Sequence, residues 1–345
     1  MTAFSKLPAR SLGNNAPLIP RIGLGLMGAS GTYGQPLPET EHLNFLDEAY
    51  KRGETFWDTA DKYDDSESVL GKWFAQNPDK RKDIFLATKF GICTNPEAKD
   101  GMKNWMDSSP EYCRTAIEKS LKRLGLPYVD LYYVHRLDKV TPIEKTVEAM
   151  VALKQEGKIK YLGLSECSAD SLRRAHAVHP ISCVQVEYSV FCRDIESPQV
   201  QLLQTARELG VAIVAYSPLG NGILSGAIRS LEDVSKPGDV RGVLPWLRKG
   251  NIEKNVAVVD QLTEIAKAKG MTTAQLALGW LFAQGDDVFA IPGTSKIHRL
   301  EENLASLSFQ LSEEEEQSIR QIAQNVAGGR FQALTGFAFA DTPQL

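Results

Sequence analysis

The stretch IFLATKF at residues 84–90 is a short run of branched and aromatic side chains interrupted by a single lysine, Lys89. Seven similar runs occur along the chain, and helical patterns with start and stop signals follow them. The eight runs are RIGLGLM (21–27), TFWDTA (55–60), IFLATKF (84–90), VDLYYVH (129–135), IKYLGLS (159–165), CVQVEYS (183–189), VAIVAYS (211–217) and VFAIPG (288–293). Strands that alternate with single helices predict right-handed βαβ units and a parallel sheet.

Helix signals between the runs support this alternation. Proline suits the first turn of a helix, and glycine suits the residue after its last turn. Such pairs predict helices from Ser109-Pro110 to Gly125, from Pro142 to Gly157 and from Ser197-Pro198 to Gly210. Further helical patterns cover roughly 253–268 and 273–283, and Ser312 with the acidic run after it is typical of a helix start.

Eight nearly continuous apolar strands favour a closed (β/α)8 TIM barrel over an open sheet, because each strand must be buried on both faces. The intervals after the third and seventh strands are the longest, which predicts long loops at 91–108 and 220–252. We expect one barrel domain over residues 1–345, with a core at about 18–322, an N-terminal cap and a C-terminal tail at 323–345.

The composition is that of an ordinary globular protein, with 43% hydrophobic and 24% charged residues among 345. A net charge of −4 gives no general attraction to nucleic acid or anionic membranes. The five cysteines are scattered and never spaced C-x-x-C, and no apolar run approaches the ~20 residues of a membrane span. We therefore expect a cytoplasmic protein with neither a nucleic-acid nor a membrane partner.

Two motifs are discounted. Gly23 to Gly28 reads G-x-G-x-x-G, but a dinucleotide-binding motif requires a helix directly afterwards, and residues 29–38 are too rich in Gly and Pro to form one. His176 and His179 could share a helix face, yet no third ligand lies nearby and Pro180 ends the helix. We expect no metal.

Four polar residues lie at or just beyond the ends of the runs, where the active site of such barrels is built. Asp58 is near the end of the second run, Tyr63 follows five residues later, Lys89 interrupts the third run and His135 closes the fourth. Each has an ordinary structural explanation as a cap, a packing residue or a hydrogen-bonded core residue. A lysine in a buried strand, however, requires a carboxylate partner.

Together these residues suit the reduction of a carbonyl group. The carbonyl oxygen needs a proton as hydride reaches the carbon, and a free tyrosine with a pKa of about 10 is a sluggish acid–base group at neutral pH. We expect Lys89 to lower the pKa of Tyr63, Asp58 to keep Lys89 charged and in place, and His135 to direct the carbonyl oxygen toward Tyr63.

Seven separate motifs now carry a resemblance to the aldo-keto reductase superfamily. They are WDTAD-x-Y (57–63), ATK (87–89), YYVHRLD (132–138), GLSE (163–166), VQVEYS (184–189), YSPLGNG (216–222) and PGTSKIHRLEEN (292–303). The resemblance implies a (β/α)8 barrel that uses NADPH or NADP+ and an Asp–Tyr–Lys–His tetrad. In this sequence the tetrad is Asp58, Tyr63, Lys89 and His135, with Tyr63 as proton donor.

The resemblance also implies cofactor contacts. Ser165 and Gln185 would bind the nicotinamide carboxamide, and Tyr216 would stack on the ring. The other implied contacts are Gly25, Met27, Ser217, Pro218, Leu219, Gly220, Gly293, Thr294, Ser295, Lys296, Arg299, Glu302 and Asn303.

The residues expected near the phosphates of the cofactor can also be explained physically. The loops after strands seven and eight form the usual phosphate site of such barrels, and Thr294 and Ser295 at a helix start can hold phosphate oxygens. Lys296 and Arg299 supply the positive charge that a 2′-phosphate requires, which favours NADPH over NADH. The alternative is a capped helix that carries two solvated cations.

One residue departs from the family pattern. Glu166 stands where many members have an asparagine that also binds the carboxamide, and a carboxylate cannot donate to an amide oxygen. The Ser-Glu pair resembles a subgroup with plant and fungal reductases of pyridoxal and of alkaloid aldehydes, similar to perakine reductase.

The sequence predicts interconversion of an aldehyde or ketone with an alcohol. Two alternatives stay open: an NADPH-binding, largely non-catalytic protein that resembles the channel-associated β-subunits of this superfamily, and a barrel enzyme of different chemistry. Aromatic and apolar loop residues favour a hydrophobic or aromatic substrate. The candidate wall residues are Tyr33, Trp105, Met106 and Trp246, with Phe331, Phe337 and Phe339 in a tail that could instead be disordered or pack on a second subunit.

Overall fold

The structure is a computed structural model that describes residues 7–14, 16–94, 104–330 and 336–345. Within these residues, eight parallel strands form one sheet whose spatial order follows the chain. They are β1 (Leu24–Gly25), β2 (Phe56–Asp58), β3 (Phe85–Phe90), β4 (Val129–Val134), β5 (Ile159–Ser165), β6 (Cys183–Glu187), β7 (Ala212–Tyr216) and β8 (Val288–Ala290). All eight predicted strands are therefore found at the expected places.

The first and last strands meet and close the barrel. Parallel bridges join Ile22 to Ala290 and Gly25 to Gly293. A Cβ atom on Gly25 would lie 2.6 Å from the carbonyl oxygen of Ile291, so only glycine permits this close approach. The predicted TIM barrel is confirmed.

Helices lie between the strands on the outside of the sheet. They are α1 (Glu39–Lys51), α2 (Ser66–Gln76), α3 (Pro110–Leu124), α4 (Ile143–Gln155), α5 (Ala169–Val178), α6 (Leu202–Leu209), α7 (Ile252–Ala268), α8 (Thr273–Ala283), α9 (Ile297–Ala305) and α10 (Glu313–Ile322). No α-helix follows the glycine-rich 23–28 segment before α1, which agrees with the rejection of a dinucleotide-binding motif there.

The predicted helix ends are largely confirmed. Ser109 caps α3 by accepting a hydrogen bond from the Tyr112 N–H at 3.2 Å, and Gly125 ends that helix at φ 63°. The predicted start of α6 at Ser197-Pro198 is wrong, because a 3-10 turn precedes the helix and Gln201 adopts a left-handed φ of 51°. The helix begins only at Leu202 and ends before Gly210, as expected.

Alternation along the strands determines which side chains enter the barrel. In β3, Phe85 and Ala87 belong to the interior cluster, whereas Leu86 and Phe90 pack against the surrounding helices. Because side chains alternate in direction along a strand, Lys89 also points inward, at the carboxyl end. The same alternation applies to the carboxyl-end residues Asp58, Ser165, Gln185 and Tyr216.

The additional segments lie at both ends of the barrel. An antiparallel hairpin of Ala9–Ser11 and Leu18–Pro20 caps the amino end, where Leu12 and Ile19 join the interior cluster. The loop after β3 contains a second hairpin, Ile92–Thr94 with Asn104–Met106.

The loop after β7 is built from 3-10 turns that begin with Gly220–Ser225.

Among the described residues, no helix combines the length and apolarity needed to cross a membrane. The described residues also contain no cluster of three or more potential metal ligands among His, Cys, Asp and Glu.

Candidate active site

A cavity of about 390 Å³ opens at the carboxyl ends of the strands. Three members of the predicted tetrad line it, namely Asp58, Tyr63 and His135, together with Gln185 and Tyr216. The residues lie close together because Asp58 and Tyr63 end and follow β2, His135 follows β4, and Gln185 and Tyr216 lie near the carboxyl ends of β6 and β7. The fourth member, Lys89, lies behind this wall with its side chain fully buried.

Lys89 and Asp58 form a buried ion pair. The ammonium of Lys89 donates to Asp58 Oδ1 and, at 2.8 Å, to the carbonyl oxygen of Thr59. Burial lowers the pKa of Lys89, but Asp58 and Tyr63 raise it by more, so the net pKa lies above its usual value. Burial raises the pKa of Asp58 against the opposing effects of Lys89 and Gln185.

Tyr63 stands in the short turn between β2 and α2. Its Oη lies 3.4 Å from Lys89 Nζ, and the ring packs edge-to-face on His135 with centroids 5.7 Å apart. Burial raises the pKa of Tyr63, and the positive charge of Lys89 reduces this rise without cancelling it. Lys89 thus lowers the pKa of Tyr63, as expected, but the net pKa does not fall below the ordinary value, since desolvation of the phenolate outweighs the attraction of a single cation.

His135 is an uncharged member of the group. Its backbone N–H donates to the Phe90 carbonyl at 2.6 Å, and its ring Nδ1 is buried without a hydrogen-bond partner among the described residues. Burial, followed by the charges of Arg136 and Lys89, holds the pKa of His135 well below the usual value. The imidazole is therefore uncharged at neutral pH.

The predicted cofactor residues lie mostly on the same cavity. The lining includes Gly25, Met27, Gln185, Tyr216, Ser217, Pro218, Leu219, Gly293, Thr294, Ser295, Arg299, Glu302 and Asn303. Gly220 turns the chain at φ 56° just behind the wall, and Lys296 is exposed outside it. Thr294 Oγ1 accepts a hydrogen bond from the Lys296 N–H at 3.1 Å, directly before α9.

Arg136 is a cavity residue that the sequence reasoning overlooked. Its guanidinium donates to Ser165 Oγ at 3.2 Å and to the His135 carbonyl at 2.6 Å, and it lies 6.0 Å from the centre of the Tyr216 ring. Ser165 is buried behind it and is not part of the lining. The position of Arg136, directly after the strand-end His135, was the available signal.

Glu166 has an unexpected partner. Its carboxylate binds Arg330, a residue of the C-terminal tail, at 2.5 Å. The Glu166 carboxylate is therefore paired within the protein, which agrees with the expectation that it does not bind the nicotinamide carboxamide.

Of the four residues predicted to form the substrate wall, one lines the cavity. Tyr33 lines the cavity and donates to Asn221 Oδ1 at 3.0 Å. Trp246 is buried against Phe191 in the core, and the exposed Trp105 and its neighbour Met106 belong to the hairpin after β3; none of these three lines the cavity.

The tail aromatics also lie off this wall. Phe337 and Phe339 contact Lys139 and Arg330 respectively, and Phe331 lies outside the described residues. The described part of the tail packs on its own chain.

Comparison with known proteins identifies the family and agrees with the architecture. The model of the aldo/keto reductase family matches residues 21–324. The chain belongs to the aldo/keto reductase family. It is 47% identical to "Aldo-keto reductase str7" of Strobilurus tenacellus, over 98% of this chain and 99% of that protein.

Two further relatives agree with this assignment. "Aldo-keto reductase yakc [NADP(+)]" of Schizosaccharomyces pombe is 44% identical over 98% of this aldo-keto reductase and 99% of the relative. The glycerol dehydrogenase of Gluconobacter oxydans has a similar solved structure, with a TM-score of 0.79, 27% identity and 98% coverage of both chains. The predicted family is confirmed, and with it the prediction that this aldo-keto reductase is an oxidoreductase of small carbonyl compounds.

Proposed function

We propose that this aldo-keto reductase uses NADPH to reduce an aldehyde or ketone reversibly to an alcohol, with Tyr63 as the proton donor. One observation carries the proposal: the Tyr63 hydroxyl lies 3.4 Å from a buried lysine that is itself paired with Asp58, at the wall of one cavity. The motif resemblance for these four residues supports the same roles.

The tetrad can supply a proton and then stabilise the resulting anion. Tyr63 is protonated at neutral pH because its pKa is raised, so its O–H is available to a carbonyl oxygen that gains negative charge. The Lys89 ammonium then stabilises the phenolate that remains, and Asp58 keeps that ammonium in place. The neutral His135 beside the Tyr63 ring orients the carbonyl oxygen.

The residues of the cavity fit a nicotinamide dinucleotide. When bound, NADPH supplies the hydride. The Tyr216 side chain offers a flat surface for a ring. Thr294 and Ser295 lie just before α9, and the free backbone N–H groups at a helix start favour phosphate oxygens. Arg299 lines the cavity and has no acidic partner among the described residues, so its charge is available to a 2′-phosphate.

The substrate proposed is a hydrophobic or aromatic carbonyl compound. Tyr33 and Tyr216 are the observations that support it, because both rings belong to the cavity wall. Arg136 and Arg241 add cations to the same wall.

We also propose that residues 1–345 are one barrel domain with a core at about 18–322 and residues 323–345 as its tail.

The test is NADPH oxidation by the purified protein with a panel of aldehydes and ketones. The reaction is monitored as the loss of nicotinamide absorbance. Turnover with at least one aromatic aldehyde, and product alcohol in equal amount, supports the proposal. Tight NADPH binding without turnover on any member of the panel contradicts it and favours a non-catalytic binding protein. Absence of NADPH binding contradicts both.

A further inference from the structure

Arg330 is a buried cation that joins the C-terminal tail to the barrel. Its side chain is 1% exposed, and the two carboxylates beside it, Glu166 and Glu187, are 0% and 3% exposed. Nη2 lies 2.5 Å from Glu166 Oε1, and Nε lies 3.4 Å from Glu187 Oε2. A guanidinium withdrawn from water in this way is stable only while its acidic partners are present.

Glu166 binds the tail twice. Its side chain holds Arg330, and its backbone carbonyl accepts a hydrogen bond from the Ala340 N–H at 2.8 Å. The Ser168 N–H in turn donates to the Ala340 carbonyl at 2.8 Å, and Cys167 and Ala340 form a parallel bridge. Glu166 holds these positions with a left-handed φ of 55°, directly after the inward-facing Ser165.

The same guanidinium reaches the cavity wall. Arg330 Nη2 lies 3.3 Å from the hydroxyl of Tyr216, whose ring lines the cavity at the end of β7. Glu166 Oε1 also accepts a hydrogen bond from the Glu187 N–H at 3.1 Å at the end of β6. The tail, the ends of β5 and β6, and the Tyr216 ring therefore share one buried polar cluster.

We propose that Arg330 is a positioning residue that holds the Tyr216 ring in place for the nicotinamide, and thereby links docking of the C-terminal tail to cofactor affinity. This inference rests on the proposed function, because it assumes that the ring of Tyr216 contacts NADPH. It also explains the glutamate at position 166: this side chain is needed to pair with Arg330.

Arg174 provides a matched control at the outer end of the tail. It pairs with Glu144 and donates to the carbonyls of Thr342 and Pro343 at 2.9 and 2.6 Å. It anchors the tail as Arg330 does, but no contact joins it to Tyr216 within the described part of the chain. A purely structural role of the tail predicts similar effects from both arginines.

The experiment is NADPH titration by fluorescence, with thermal unfolding measured in parallel, on full-length wild type, Arg330→Met, Arg174→Met and the charge-balanced double variant Glu166→Gln/Arg330→Met. We expect Arg330→Met and the double variant to weaken NADPH binding about tenfold or more, as expected for loss of a charged hydrogen bond. We expect kcat at saturating NADPH to change much less, and Arg174→Met to bind NADPH within about twofold of wild type.

A double-mutant cycle with Tyr216→Phe isolates the contact. In the Tyr216→Phe background, Arg330→Met is expected to weaken NADPH binding by less than about threefold, because the hydroxyl through which it acts is gone. If Arg330→Met does not fold, the charge-balanced variant and its combination with Tyr216→Phe give the same comparison.

Normal NADPH affinity in the folded charge-balanced variant, or an equal loss of affinity in Arg174→Met, would overturn this inference while leaving the proposed function intact. Undiminished loss in the Tyr216→Phe background would also reject a role through the hydroxyl. Failure of the wild type to bind NADPH is a different outcome, which rejects the proposed function first.

Discussion

The side-chain amide of Gln185 donates a hydrogen bond to Asp58 Oδ2 at 2.8 Å, from the opposite side of the carboxylate to Lys89. Both oxygens of Asp58 therefore have a partner, and the carboxylate cannot rotate without breaking one of these contacts. Gln185, assigned to the nicotinamide carboxamide by family resemblance, also holds the ion pair behind Tyr63, the proposed proton donor.

Replacement of Lys89 by methionine should destabilise the protein by about 3–5 kcal/mol, because Asp58 is then left buried without a countercharge. Urea unfolding at neutral pH measures this loss. The double variant Lys89→Met/Asp58→Asn removes both charges and should recover part of the stability but none of the activity. A loss below about 1 kcal/mol in the single variant would contradict this expectation, because it would mean that Asp58 is protonated or hydrated once Lys89 is removed.

Tyr63→Phe should reduce kcat by at least about a hundredfold while NADPH binding is retained, because only the proton donor is removed. Steady-state reduction of an aromatic aldehyde and NADPH titration measure the two properties separately. Near-normal turnover would reject Tyr63 as the donor.

The pH dependence of the two directions should differ. Because the pKa of Tyr63 is raised, the protonated form that carbonyl reduction needs persists across the neutral range. Alcohol oxidation needs the phenolate, so its rate should increase as the pH rises toward the pKa of Tyr63. Initial rates in both directions over a pH series measure this, and an oxidation rate that falls with rising pH would contradict the assignment.

Arg299→Ala should weaken NADPH binding about 10–100-fold and NADH binding much less, since the charged contact would be to the 2′-phosphate. Lys296→Ala is the matched control, because Lys296 carries the same charge nearby but lies outside the cavity lining. We expect it to have the smaller effect. Equal losses for both cofactors in Arg299→Ala would remove the argument for a 2′-phosphate contact.

Asp61 should make the stability of the protein depend on pH. Burial, followed by the charge of Glu67, raises the pKa of Asp61 to about 7. The folded state thus holds a proton that the unfolded state releases near pH 4, so this contribution to stability is lost as the pH rises from about 4 to 7.

Asp61→Asn removes this ionisation. Its unfolding free energy relative to wild type should increase by about 1–3 kcal/mol between pH 5 and pH 8. Urea unfolding of both proteins at the two pH values measures the change. A difference that does not vary with pH would show that Asp61 titrates normally in the folded protein.

The sequence by itself determined the barrel and the composition of the polar rim at the carboxyl ends of its strands. Alternation in IFLATKF directs Lys89 inward with Phe85 and Ala87, and a buried lysine requires an acid such as Asp58. The strand-end position of His135 and the spacing of Tyr63 place them at the same rim. These are local properties of strands and turns, so the chain order suffices to predict them.

The tertiary structure decided what depends on contacts between distant segments. Trp246 is as aromatic as Tyr33, but the packing of the loop after β7 buries it against Phe191 and away from the cavity. Arg330 lies 164 residues from Glu166, and nothing in either local sequence indicates that they pair. The pKa of Tyr63 likewise follows from a balance between burial and one nearby charge, and both terms exist only once the barrel has closed.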